Sequence, residues 1–203
     1  MSSTARPVID YFLATVSPYV YLGHARFVAI ARARGAQVRV RPVDFGPIFA
    51  ASGGLPLGKR APQRQAYRLV ELRRFSEHMG LPMNLQPKYF PAAGDPSSRL
   101  IIATDLHAGP DAALGLVGAV SRAVWVQERN VADEGVLAEL LAEQGLSAQL
   151  LAQSHDAAVQ ARYTADTQAA IDAGVFGAPS YVVDGEIFWG QDRLDFLDRR
   201  LAR

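Results

Sequence analysis

With 203 residues, 49% of them apolar and 20% charged, the chain has the balance of a packed globular protein and not that of a disordered one. Its 21 basic and 20 acidic residues are interspersed and sum to +1, which argues against nucleic acid as a partner, and no apolar run approaches the ~20 residues that span a bilayer. Cysteine is absent, so disulfides, thiolate metal sites, cysteine nucleophiles and Cys-x-x-Cys redox chemistry are excluded together.

Residues 1–6 lack the basic-then-apolar layout of a secretory leader, and the expectation is a cytoplasmic protein. Val8 to Leu13 is a short run of β-formers, cut off by Ser17-Pro18, which reads as a helix N-cap with proline at the first helical position. Val20, Gly23, Phe27 and Ile30 then recur at helical spacing, and Gly35 follows as a stop. Val38, Val40 and Val43 make a second strand, with Arg39 and Arg41 alternating outward. Between Asp44 and Pro62 the density of glycine and proline predicts a loop.

Helical patterns follow: Leu69, Leu72, Phe75 and Met79; Ala113, Val117, Val120 and Val124; Leu137, Leu140 and Leu141; Leu150, Leu151 and Val159. After Gly174 the period returns to two. Ser180 to Val183, the Asp184-Gly185 turn and Glu186 to Trp189 form a hairpin signature, and Leu194, Leu197 and Leu201 mark a last helix. No repeat or low-complexity tract is present. The layout is α/β: β-α-β, a large all-helical insertion, then β-β-α, the order of a thioredoxin-like fold. It divides into residues 1–43 with 174–203 as the thioredoxin-like domain and 44–173 as the loop and helical insertion.

Each half of that layout carries one distinctive feature. Ser17-Pro18-Tyr19 opens the first helix, where free N–H groups and the helix dipole favour an anion. Gly177-Ala178-Pro179 enters a strand through a proline bond that, in the cis form, exposes the N–H and C=O of the residue before it. Other signals are weaker. Gly53 to Arg60 approximates a phosphate-binding loop, but Arg60 stands where a magnesium-holding Ser or Thr belongs. His24, His78, His107 and His155 are scattered singly, and no metal is expected. Tyr19, Tyr21, Tyr89, Phe90 and Trp189 suit either a core or an aromatic pocket, with Tyr19 and Tyr89 the candidates for contact with a substrate.

Asp10 to Leu22, around Ser17-Pro18-Tyr19, and Gly174 to Leu194, around Gly177-Ala178-Pro179 and Gly190-Gln191-Asp192-Arg193, resemble the 2-hydroxychromene-2-carboxylate isomerases, relatives of kappa-class glutathione transferases within the DsbA-like group. The resemblance implies an enzyme, usually a homodimer, that binds reduced glutathione across the two motifs and acts on a small aromatic ketoacid. It implies that Ser17 hydrogen-bonds the glutathione sulfur and that Ala178, before cis Pro179, pairs with the cysteinyl part. Gln191 and Asp192 would hold the γ-glutamyl end, and Arg64 the glycyl carboxylate. The family's asparagine after a glycine has no counterpart here, where Ser52-Gly53-Gly54 stands, which implies one glutathione contact fewer. The same residues leave room for a kappa-type transferase or for a redox-silent binding module of the same fold.

Overall fold

The structure, a computed structural model, describes residues 6–203. Four strands, β1 (Val8–Leu13), β2 (Gln37–Pro42), β3 (Ser180–Val183) and β4 (Glu186–Trp189), form one sheet in the order β2-β1-β3-β4. β1 runs parallel to β2 and antiparallel to β3, which pairs antiparallel with β4. This is the thioredoxin-like arrangement, with α1 (Pro18–Ala33) as the crossover between the parallel strands. The β3–β4 turn has φ of +49° at Asp184 and +82° at Gly185, the left-handed pair that a two-residue hairpin requires.

Both faces of the sheet are covered. Ile9, Tyr11 and Leu13 of β1 point into the larger core with Val20 and Phe27 of α1, and Phe12 points the other way, with Val43, Ile48, Ala170 and Val182. Alternation along one strand thus feeds two cores. At the centre of the first, Tyr11 stacks on Tyr181 at 5.3 Å between ring centroids, and Phe27 lies 4.5 Å from each.

The connecting region holds six further helices, α3 (Pro62–Met79), α4 (Asp95–Ala108), α5 (Pro110–Trp125), α6 (Glu134–Glu143), α7 (Gln149–Gln153) and α8 (Ala157–Asp172), of which α4 matches none of the helical patterns read from the sequence. α4, α5 and α8 pack against β2, so this region closes over the sheet. A final helix, α9 (Leu194–Leu201), buries Leu194 and Leu197.

Three expectations need correction. The segment after Asp44 is not all loop, because α2 spans Phe45–Ser52. Asp44 caps it by accepting from Gly46 N, and Pro47 falls within the first turn, where no intrahelical N–H is needed. Ile48 is its buried anchor, and Gly53 ends it at φ +72°. Second, Leu150, Leu151 and Val159 belong to two helices, since the chain breaks between Gln153 and Ala157. Third, Arg41 does not face outward. It pairs with Asp10 at 2.6 Å and with the buried Asp166 of α8, which also accepts from Arg162 at 2.7 Å.

Candidate functional site

Ser17 is the N-cap of α1, and its Oγ accepts from Val20 N at 3.4 Å. Pro18 supplies no N–H, so Tyr19 carries the first-turn donor that has no protein acceptor among the described residues. The hydroxyl hydrogen of Ser17 likewise has no acceptor among them. The approach to this cap is held by the helical region: Thr15 Oγ1 lies 2.8 Å from Ser97 Oγ and 3.3 Å from Gly94 O. Beside it, the antiparallel register of β1 and β3 pairs Phe12 with Ser180, and the Ala178–Pro179 bond just before Ser180 is cis.

A cavity of about 490 Å³ opens there, within the usual range for small-molecule sites. Tyr19, Ala178, Gln191 and Asp192 line one side of it and Arg64 of α3 the other, so five residues singled out from distant parts of the sequence meet at one cavity. Ser17 and Pro179 are not lining residues, though each adjoins the wall through Tyr19 and Ala178. Tyr89 is elsewhere: it is exposed, with the Lys88 ammonium 5.0 Å from its ring centroid.

The opposite wall belongs to α3, of which the sequence reading singled out Arg64 alone for the site. Gln63, Tyr67, Glu71 and Phe75 recur at four-residue spacing along α3, with Arg64 and Arg68 on the neighbouring row. Gln63, Tyr67 and Glu71 at i, i+4 spacing are the polar signal for this wall, while Leu72 buries the other side of the helix and Phe75, read as part of its apolar pattern, faces the cavity.

The cavity is electropositive. Four arginines line it, Arg60, Arg64, Arg68 and Arg193, against two carboxylates that are already engaged. Glu71 accepts from the Tyr19 hydroxyl, and Asp192 pairs with Arg193 at 2.7 Å. Burial and the Glu71 contact push the Tyr19 phenol far above its ordinary range, so it stays a neutral donor. At the inner wall Gln191 is 1% exposed, and neither its Nε2 nor its Oε1 has a partner. A buried amide with a free donor and a free acceptor is costly unless a ligand or water answers it.

A family model described as a DSBA-like thioredoxin domain matches residues 8–202. The chain belongs to that family. This DsbA-like chain is 29% identical over 195 residues to the 2-hydroxychromene-2-carboxylate isomerase of Sphingobium xenophagum, covering 95% of this chain and 97% of that one. It is 28% identical over 219 residues to a Caenorhabditis elegans protein named glutathione S-transferase kappa 2, covering 95% and 92%. It also superposes on a solved 2-hydroxychromene-2-carboxylate isomerase with a TM-score of 0.80 at 26% identity, covering 97% of this chain and 95% of the other. Among the described residues no cluster of His, Asp or Glu could hold a metal ion, and no helix is long and apolar enough to cross a membrane.

Proposed function

We propose that this DsbA-like protein is a glutathione-dependent isomerase that interconverts 2-hydroxychromene-2-carboxylate and trans-o-hydroxybenzylidenepyruvate, or a similar aromatic ketoacid. One observation carries the reading: Tyr19, Arg64, Ala178, Gln191 and Asp192 converge on one electropositive cavity beside the Ser17 cap. The relatives named as isomerases support the reaction class.

Glutathione suits the residues present. The buried amide of Gln191, with an unpartnered donor and acceptor, answers the carboxylate and ammonium of a γ-glutamyl group, with Asp192 beside it for the ammonium. Arg64 offers its charge to the glycyl carboxylate, and Ala178 its backbone to the cysteinyl part. The arginine excess matches a ligand of net negative charge. When bound, glutathione supplies a thiol nucleophile that turns a conjugated double bond into a rotatable single bond and then leaves, with no net redox change.

The protein's part is to hold that sulfur as an anion. Ser17 Oγ accepts from Val20 N, which leaves its O–H to donate to sulfur at the helix N-terminus. A charge-assisted hydrogen bond is worth about 1.5–3 kcal/mol and the helix terminus about 0.3–1 kcal/mol, which together lower a thiol of pKa near 8.5 by roughly 1.5–3 units. The anion then makes up about half or more of the bound thiol at neutral pH. Tyr19, kept neutral by burial and by its contact with Glu71, presents its ring at the wall where the acceptor approaches. Tyr89, off the cavity, has no part in this scheme.

The test is stoichiometric. With the chromene carboxylate and glutathione, an isomerase interconverts the two isomers while free thiol stays constant. The kappa-type relative favours a second reading, a transferase, which loses one thiol per turnover. Absence of glutathione binding at millimolar concentration would contradict both and leave a redox-silent binding module. The expected homodimer and cytoplasmic setting belong to the same proposal, the first open to analytical ultracentrifugation and the second to cell fractionation.

A further inference from the structure

Arg68 differs from the other cationic residues of the cavity. It projects from α3 between two hollows, the 490 Å³ cavity and a neighbouring one of about 520 Å³ lined by apolar residues that include Leu57, Leu69, Leu85 and Phe90, and also by Lys88, whose ammonium lies 5.0 Å from the Tyr89 ring centroid. Its guanidinium lies 5.2 Å from the ring centroid of Phe90 and 5.8 Å from that of Trp125. Rings on this side fix the planar fork without neutralising it. Among the described residues it makes no ion pair, and its Nη2 is closed to solvent with no acceptor. Trp125 Nε1, on a fully buried ring beside it, is an orphan too.

Both orphans are donors, so neither can satisfy the other. Nη2 and the Trp125 Nε1 are enclosed, but the Arg68 side chain lines both hollows with no counter-charge among the described residues, and the strongest acceptor for such a guanidinium is a carboxylate. Desolvation holds the Arg68 pKa below its ordinary value, which has the same sense: the cation is short of a counter-charge. The other hollow near Ser17, about 260 Å³ between Val16 and Tyr163, is unsuited to an anion because Asp44 and Asp95 line it.

We propose that Arg68 is the specificity-determining residue that receives the carboxylate of the acceptor, with its aryl group against the apolar wall of the 520 Å³ hollow, so that the acceptor must be an acid. This rests on the reading above only for the identity of the acceptor. The carboxylate could in principle come from glutathione instead, and the test separates the two.

The probe is trans-cinnamate, an aryl-alkenyl carboxylate, with cinnamide as its uncharged counterpart, titrated calorimetrically into wild type, Arg68→Met and Arg68→Lys. Methionine keeps the packing against Phe90 and Trp125 and removes the charge; lysine keeps the charge and loses the fork. Wild type is expected to prefer cinnamate to cinnamide, and Arg68→Met to weaken cinnamate tenfold or more, with Arg68→Lys between them and a clearly smaller loss for glutathione, since Arg68 is only one of four arginines in the cavity. Equal cinnamate binding in wild type and in folded Arg68→Met or Arg68→Lys would overturn the proposal. So would a loss of glutathione affinity with cinnamate unchanged, which would give Arg68 to glutathione. Failure of wild type to bind glutathione would remove the isomerase reading alone, since the cinnamate titrations stand without it.

Discussion

Gly23 sits on the buried face of α1 where the helix meets Gln191. A Cβ at this position would lie 2.7 Å from Gln191 Cβ and 3.2 Å from both Gln191 Cα and the Tyr181 hydroxyl. Helix propensity alone favours alanine over glycine by about 0.8–1 kcal/mol. Overpacking opposes it at roughly 1–3 kcal/mol, because the nearest atoms are a Cβ and a Cα and not the end of a flexible chain. Gly23→Ala is therefore expected to lose about 0–2 kcal/mol net, a fall in Tm of up to roughly 8 °C at this size. The displaced residue is the one whose amide is assigned to the γ-glutamyl group, so glutathione should weaken as well. Loss of two hydrogen bonds at about 1 kcal/mol each corresponds to roughly 30-fold. Scanning calorimetry and isothermal titration with glutathione measure the two effects. A raised Tm with unchanged glutathione affinity would refute the reasoning, since it would mean that the helix gains its alanine and the contact with Gln191 positions nothing.

Other outcomes follow from the same structure. His24 is buried, with Nε2 2.9 Å from Leu114 O, and burial pushes its pKa down to about 4 from 6.5. Its neutral form contributes stability that is complete above pH 6.5 and is lost as pH falls through about 4, some 3 kcal/mol in all. His24→Asn should flatten denaturant-measured stability across that window, and an unchanged pH profile would count against it. Gly54→Asn, which restores the family residue, should not tighten glutathione on its own. A Cβ there would lie 2.4 Å from Phe49 Cδ1, so a gain is expected only with Phe49→Ala in addition; titration of single and double variants decides. Tyr19→Phe removes the donor held by Glu71 and frees a negative charge in the cavity. Glutathione should bind several-fold more weakly, with a steeper dependence on salt, and Glu71→Gln in the same background should restore it.

Much of the fold was legible because local signals and tertiary structure agree. The β3–β4 hairpin is written in Asp184-Gly185 between two β-forming runs, and α1 in Ser17-Pro18 at one end and Gly35 at the other. α2 was hidden for a physical reason: Gly46 and Pro47 break a helix interior but are harmless in its first turn, and composition alone does not say which applies. Arg41 was misplaced because strand alternation gives a face but not what covers it, and α8 comes from 125 residues further on to supply Asp166. The half of the site built on the two motifs could be read from residues close in sequence. Of the half built on α3 only Arg64 was named, through the resemblance; the rest could not be, since the Tyr19–Glu71 contact spans 52 residues and the orphaned donors of Arg68 and Trp125 exist only once α3 and α5 are packed.

The central claim is that Ser17 and its helix start make a borrowed thiol acidic. The direct measurement is the pH titration of thiolate absorbance for glutathione bound to wild type and to Ser17→Ala, each at saturating protein. In wild type the bound thiol is expected to titrate roughly 1.5–3 units below free glutathione, and most of that shift to vanish in Ser17→Ala, since the hydrogen bond is the larger contribution. A bound thiol that titrates like free glutathione in wild type, or identically in the two proteins, would contradict it.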